Sequence, residues 1–158
     1  MSAVTELLLY GACRSQHVQQ VLKPSLGRGE IILCDRFSDA TTAYQGYGRG
    51  LDLDLVHQVN AVSTAGLSPD LTIILDCPVK VGLKRSWERL HKERKTRDES
   101  RFEEEDAAFH QRVREGYLEI ARRDPTRVKI VDSMASQESV EKEIRKLVFS
   151  LIGRAMHG

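Results

Sequence analysis

The sequence is short of sulfur, of aromatic rings and of long apolar runs. Its three cysteines, Cys13, Cys34 and Cys77, share no CxxC or Cys/His ligand spacing, which argues against both a disulfide framework and a structural zinc site. The longest apolar runs, Leu7-Leu8-Leu9-Tyr10 and Ile73-Ile74-Leu75, are far shorter than a bilayer crossing requires. Met1-Ser2-Ala3-Val4-Thr5-Glu6 has neither the basic nor the long apolar region of a secretion signal, so a reducing cytoplasm is the expected address. An excess of one charge is lacking too. With 24 Lys+Arg against 23 Asp+Glu, nothing draws the chain as a whole to a nucleic-acid polymer or a membrane. The five histidines show no ligand spacing. What is present, 158 residues of which 41% are hydrophobic, is enough for one packed domain and too apolar for a disordered chain.

Helix-like and strand-like stretches alternate. A first helix is expected from Thr5, as N-cap, to Lys23-Pro24, where proline should stop it. Ile31-Ile32-Leu33-Cys34 reads as a strand buried on both faces, ending at Asp35-Arg36. Gly46-Tyr47-Gly48-Arg49-Gly50 reads as a loop, and Asp52 or Asp54 caps a helix that stops at Gly66. Leu71 to Leu75 and Val128 to Asp132 are two more strands. Between them come a helix with Leu83, Trp87 and Leu90, a mixed-charge run from Lys92 to Asp106, and a helix with Phe109, Val113, Tyr117 and Ile120 on one stripe. Ser136 caps a closing helix. Helices separating apolar strands predict an α/β fold with a three-stranded parallel sheet.

Ligands of such sheets collect at the carboxyl ends of the strands. Asp76 and Asp132 stand at two of those ends, where an Asp equally well turns the chain or caps the next segment. Asp35-Arg36 is more pointed: a carboxylate beside a guanidinium can hold hydrated Mg2+ and an anionic oxygen together. An ion pair bracing a loop is the alternative.

The run Cys34-Asp35-Arg36-Phe37-Ser38-Asp39-Ala40-Thr41-Thr42-Ala43-Tyr44-Gln45-Gly46, followed by Gly48-Arg49-Gly50, resembles the signature of bacterial thymidylate kinases. The stretch from Thr5 through Tyr10 and Arg14 to Val18 resembles that family's nucleotide-facing helix. Pro69-Asp70-Leu71-Thr72, Leu75-Asp76-Cys77-Pro78 and Phe109 to Tyr117 are similar as well. The resemblance implies a P-loop kinase-like three-layer fold, and transfer of the γ-phosphoryl group of ATP to dTMP with Mg2+, giving dTDP and ADP. It implies a homodimer paired through helices beside the sheet. It also implies residue roles. Tyr10 would stack on the thymine ring, Arg14 would donate to a thymine carbonyl, and Thr41 would read the imide edge. Tyr44 would close on the deoxyribose and Gln45 would support the pocket. Arg36 would fork onto the phosphate, with Asp35 positioning it or a magnesium-bound water. Residues 92–106 correspond to the LID that closes over ATP. Lys92, Arg94, Lys95, Arg97 and Arg101 are its basic members, and Arg101 best matches the catalytic arginine.

The family's GxxxxGK[ST] loop has no counterpart: none of the eight lysines follows a glycine. The family's second strand, with its Arg-Glu-Pro-Gly-Gly segment, is also missing. By the resemblance the P-loop strand lies in the sheet between residues 31–34 and 71–75. The expectation is therefore a single domain over residues 1–158, truncated at its N-terminus, that carries the dTMP pocket and LID without the ATP cradle and turns over little on its own. Two other readings stand beside it. One is an inactive remnant that binds nucleotide or dimerises; the other is a kinase for a different nucleoside monophosphate or a deoxynucleoside.

Overall fold

The computed structural model describes residues 1–91 and 100–155; of 89–91, 100–106 and 154–155 it describes the backbone alone. Two compact units form. One is Met1–Ser68 with Glu115–Tyr117, the other Pro69–Arg114 with Leu118–Gly158.

The first unit is helical. Helix α1 (Ala3–His17) is capped by Ser2, whose hydroxyl accepts from the Thr5 N–H at 3.1 Å. The expected cap, Thr5, is already inside the first turn. The chain then runs through a π-helical turn, Val18–Leu22, into the short α2 (Lys23–Gly27). Pro24 therefore does not end the helix. A proline cannot donate and its ring crowds the preceding turn; here it follows a widened turn in which Lys23 N–H donates to Val18 C=O, five residues back. Leu7, Gly11, Val18 and Leu22 form the buried stripe.

After a non-regular segment come α3 (Ser38–Thr41) and a seven-residue π-helical stretch, Thr42–Gly48. Residues 46–48 are thus helical rather than a loop. They pack closely enough that a Cβ on Gly46 would lie 2.7 Å from Leu53 Cδ2. Helix α4 (Leu53–Thr64) is capped by Asp52, whose carboxylate accepts from Leu55 N–H at 2.9 Å, and it ends through left-handed Ala65 and Gly66. Gly11 lets α4 approach α1, for its Cβ would stand 3.0 Å from Val59 Cγ1.

The expected strand at Ile31–Cys34 is absent. Residues 30–34 have no regular structure, and Ile31 and Leu33 are 80% and 100% exposed. A strand apolar on both faces is stable only with ladder partners, and among its described residues this unit has no strand to offer one.

The second unit holds β1 (Thr72–Asp76), α5 (Val79–His91), most of α6 (Ser100–Arg123), β2 (Val128–Asp132) and α7 (Gln137–Ala155). The two strands pair in parallel from Thr72↔Val128 to Asp76↔Asp132. The α/β class with parallel pairing holds, with two strands among the described residues instead of three. Leu75 and Ile130 keep 55% and 43% exposure. Ser136 does cap α7, accepting from Ser139 N–H at 3.3 Å. Residues Lys92, Arg94, Lys95 and Arg97 lie outside the described residues. So does the side chain of Arg101, whose backbone is in the first turn of α6.

Candidate functional site

The strand ends of the second unit are occupied by structural contacts. Asp76 takes a bidentate fork from Arg114, Nε to Oδ1 at 2.7 Å and Nη2 to Oδ2 at 2.8 Å. Asp132 accepts from Met134 N–H at 2.8 Å and turns the chain. The bland structural role open to both suffices.

The first unit gathers most of the remaining candidates. Arg14 is half-buried on α1. Its Nη1 donates to Asn60 Oδ1 at 2.9 Å, and its Nη2 donates to Phe37 C=O at 3.3 Å and to the Thr41 hydroxyl oxygen. Its guanidinium carbon lies 5.6 Å from the Phe37 ring centroid, in reach of a cation–π contact. Burial draws Arg14 below the ordinary guanidinium value, and its charge in turn opposes the upward push that burial gives the neighbouring Cys34 thiol. Tyr10 sits one turn ahead of Arg14 on the same helix, so the two share a face; it is more than half exposed.

Arg36 follows in the segment entering α3. Among the described residues it is one of two non-glycine residues with positive φ (66°), and its guanidinium carbon lies 5.3 Å from the Tyr44 ring centroid. Tyr44 meets Tyr117 edge to face, centroids 6.3 Å apart. Burial first, then Tyr44 beside it, pushes the Tyr117 phenol up to about 12 against the opposing charge of Arg36. Tyr117 is therefore a neutral hydroxyl throughout the physiological range. Asp35 is exposed beside Arg36. One exposed carboxylate suits Mg2+, which keeps most of its waters. Among the described residues no cluster of three or more His, Cys, Asp or Glu offers a fuller cage.

Gln45 is tied to the first helix. It is buried, and its amide donates to Glu6 Oε1 at 2.7 Å, while Arg49 donates to the same carboxylate at 3.3 and 3.1 Å. The triad ties the π-helical stretch to α1, so Gln45 supports the segment that carries Tyr44. Burial works against the Glu6 charge, but Gln45 and Arg49 outweigh it and hold the carboxyl below its usual range. A carboxylate lowered by folding stabilises the fold above its unfolded pKa, and that gain is lost as pH falls through the folded value. At pH 7 Glu6→Gln should therefore be less stable than the parent by about 0.5–1 kcal/mol, since Arg49 is partly exposed. The two melting curves should converge below about pH 4. A constant gap across that range would remove the charge from the account.

Phe37 and Tyr117 lie in matched segments without an assigned role and Asn60 lies outside them; contact brings in all three. Asn60 had a visible signal, a polar residue one turn after Val56 on the buried face of α4. The unit thus holds exposed Tyr10, Arg14 over the Phe37 ring, and Arg36 over Tyr44 of the Tyr44–Tyr117 pair. Rings and guanidinium groups of this kind suit a planar ring that bears a carbonyl and an anion.

A sequence model of the thymidylate kinase family matches residues 1–144. The thymidylate kinase of Geotalea uraniireducens is 49% identical over 150 residues, covering 95% of this chain and 70% of the relative. That of Geotalea daltonii is 55% identical over 132 residues, covering 84% and 62%. The crystal structure of thymidylate kinase from Ehrlichia chaffeensis superposes with a TM-score of 0.71 at 31% identity, over 94% of this chain and 65% of that one. The chain spans about two thirds of the length of the curated relatives it matches.

Proposed function

The chain belongs to the thymidylate kinase family, and from that premise we propose that it forms the dTMP site of a bacterial-type kinase that transfers the γ-phosphoryl group of ATP to dTMP. The observation that carries the proposal is the gathering of Arg14 with Thr41, and of Arg36 with Tyr44, in one unit. Arg14 and Thr41 address the polar edge of the thymine while Tyr10 covers its face. Arg14 can only donate, which favours the carbonyl of thymine over the amino group of cytosine. Tyr44 stands where the deoxyribose passes, and Arg36 forks onto the monophosphate.

In the transfer, an oxygen of the dTMP phosphate attacks the γ-phosphorus and the bond to ADP breaks. Arg36 holds the acceptor phosphate in line and screens its charge from the incoming γ-phosphate. Mg2+, where Asp35 would help hold it through water, supplies further neutralisation of the phosphate oxygens. Arg101, in the LID segment 92–106, is the proposed arginine at the γ-phosphoryl group. The backbone cradle for the ATP phosphates is not among these 158 residues, none of which is a lysine preceded by glycine. Val4, Leu8 and Leu9 on α1 and Leu55 and Val62 on α4 are 38–80% exposed; they support a homodimer, which a sizing column reads directly as twice the chain mass. No helix among the described residues is long and apolar enough to cross a membrane, and the cytoplasm, where dTMP and ATP are found, is the proposed compartment.

Calorimetry tests the site. dTMP should bind in clear preference to dCMP, and Arg14→Ala should weaken dTMP by about 1–3 kcal/mol, the usual effect of stranding a buried polar partner. Equal affinity for the two nucleotides, or indifference to Arg14→Ala, would overturn the reading. A coupled ADP-release assay with dTMP as acceptor then reads the transfer; rapid dTDP formation by these residues alone would mean that groups other than a P-loop hold the ATP phosphates.

A further inference from the structure

We infer that Asn60 is a positioning residue for base recognition, acting through Arg14; the inference rests on the dTMP reading of the site. Asn60 is buried on α4, 7% exposed, where an aliphatic side chain would pack at no polar cost. Its amide is fully engaged. Oδ1 accepts from Arg14 Nη1 at 2.9 Å, and Nδ2 donates to Ser38 C=O and to the Thr42 hydroxyl oxygen, each at 3.2 Å. A guanidinium only donates, so the oxygen of the amide must face Arg14 and the nitrogen must face α3. The Thr42 hydroxyl in turn donates to Ser38 C=O at 3.3 Å, closing the network on the α3 side.

The consequence falls on Arg14. Of its five N–H groups, three are taken by Asn60, Phe37 C=O and Thr41, and the ring of Phe37 lies under its plane. Two remain for a ligand, in an orientation fixed before the ligand arrives. An unrestrained arginine would surrender its rotamer freedom on binding. Asn60 braces the guanidinium on the side away from Thr41 and Phe37, so that the donors aimed at the base are preorganised. It touches Arg14, Ser38 and Thr42, and its part in recognition runs through Arg14.

A double-mutant cycle on dTMP affinity decides the matter. Asn60→Ala should weaken dTMP about 10-fold in the presence of Arg14 and less than about 2-fold in an Arg14→Ala background. Asn60→Asp keeps an acceptor for Arg14 and loses the donors to Ser38 and Thr42. It should melt lower yet hold dTMP within about 3-fold of the parent. Equal losses from Asn60→Ala in both backgrounds would reduce Asn60 to a packing role and overturn the inference. If Asn60→Ala fails to fold, Asn60→Asp decides alone: affinity kept at a lowered melting point supports the inference, and affinity lost in step with stability overturns it. An Arg14→Ala protein that binds dTMP normally would instead sink the dTMP reading itself.

Discussion

Arg36→Gly should weaken dTMP binding about 10²-fold, as expected when an arginine–phosphate fork is removed, while leaving thymidine, which has no phosphate, bound as before. Arg36→Ala should weaken dTMP equally. The two variants should differ in stability, and the difference comes from the backbone. At φ 66° Arg36 occupies the left-handed region, which costs a non-glycine residue about 1–2 kcal/mol. Glycine removes that strain and returns about 0.5–1 kcal/mol of it through a freer unfolded chain. Either change forfeits the contact with the Tyr44 ring, worth about 0.5–1 kcal/mol at an exposed position. The glycine variant should therefore melt close to the parent and the alanine variant below both. Such an order would mean that the chain tolerates strain at residue 36 to direct a guanidinium over Tyr44. If alanine proved the more stable variant, residue 36 would not be held in the left-handed region. If thymidine binding fell with dTMP binding, the guanidinium would be serving the base or the fold and not the phosphate.

The same segment explains where sequence reasoning worked and where it did not. Elements whose ends are written in local chemistry came through. Asp52 and Gly66 bound α4, Ser136 opens α7, and the β-branched runs at 72–76 and 128–132 pair in parallel. Ile31–Cys34 has the same composition but no structure of its own, because a strand is a property of its neighbours as much as of its residues. Pro24 misled in the opposite direction: a widened turn ahead of it absorbs what would break an ideal helix. In the site, the resemblance of residues 34–46 to the family signature is what pointed to Arg36, Thr41 and Tyr44. It did not show that the Gln45 amide donates to Glu6, thirty-nine residues earlier in the chain. Asn60 is brought in by tertiary packing alone, and Tyr117, in a matched segment but without an assigned role, comes from a helix more than seventy residues beyond Tyr44.

The contact of Tyr117 with Tyr44 makes Gly116→Ala, one residue away, a damaging addition of a single methyl group. In an open helix the change would stabilise by up to about 1 kcal/mol through propensity; a Cβ added at Gly153 in α7 would meet no atom within 4 Å, and Gly153→Ala should show that gain. At Gly116 the added Cβ would lie 2.7 Å from Tyr47 Cγ and 2.8 Å from Tyr47 Cβ and Cδ2. These atoms are the root of the side chain, tied closely to the π-helical backbone, so no rotamer change at the tip relieves the clash. Either residues 115–117 or the Thr42–Gly48 stretch must shift. Overpacking of this kind costs about 1–3 kcal/mol, which lowers the melting point by several degrees. Because Tyr44 and Tyr117 flank the contact, dTMP affinity should fall with it. Combining Gly116→Ala with Tyr47→Ala separates the clash from any other effect: the double variant should lose less stability than the two single variants added together. Strict additivity would mean that Tyr47 does not oppose the methyl group, and that the close seating of residues 115–117 against Tyr47 is not what holds the Tyr44–Tyr117 pair.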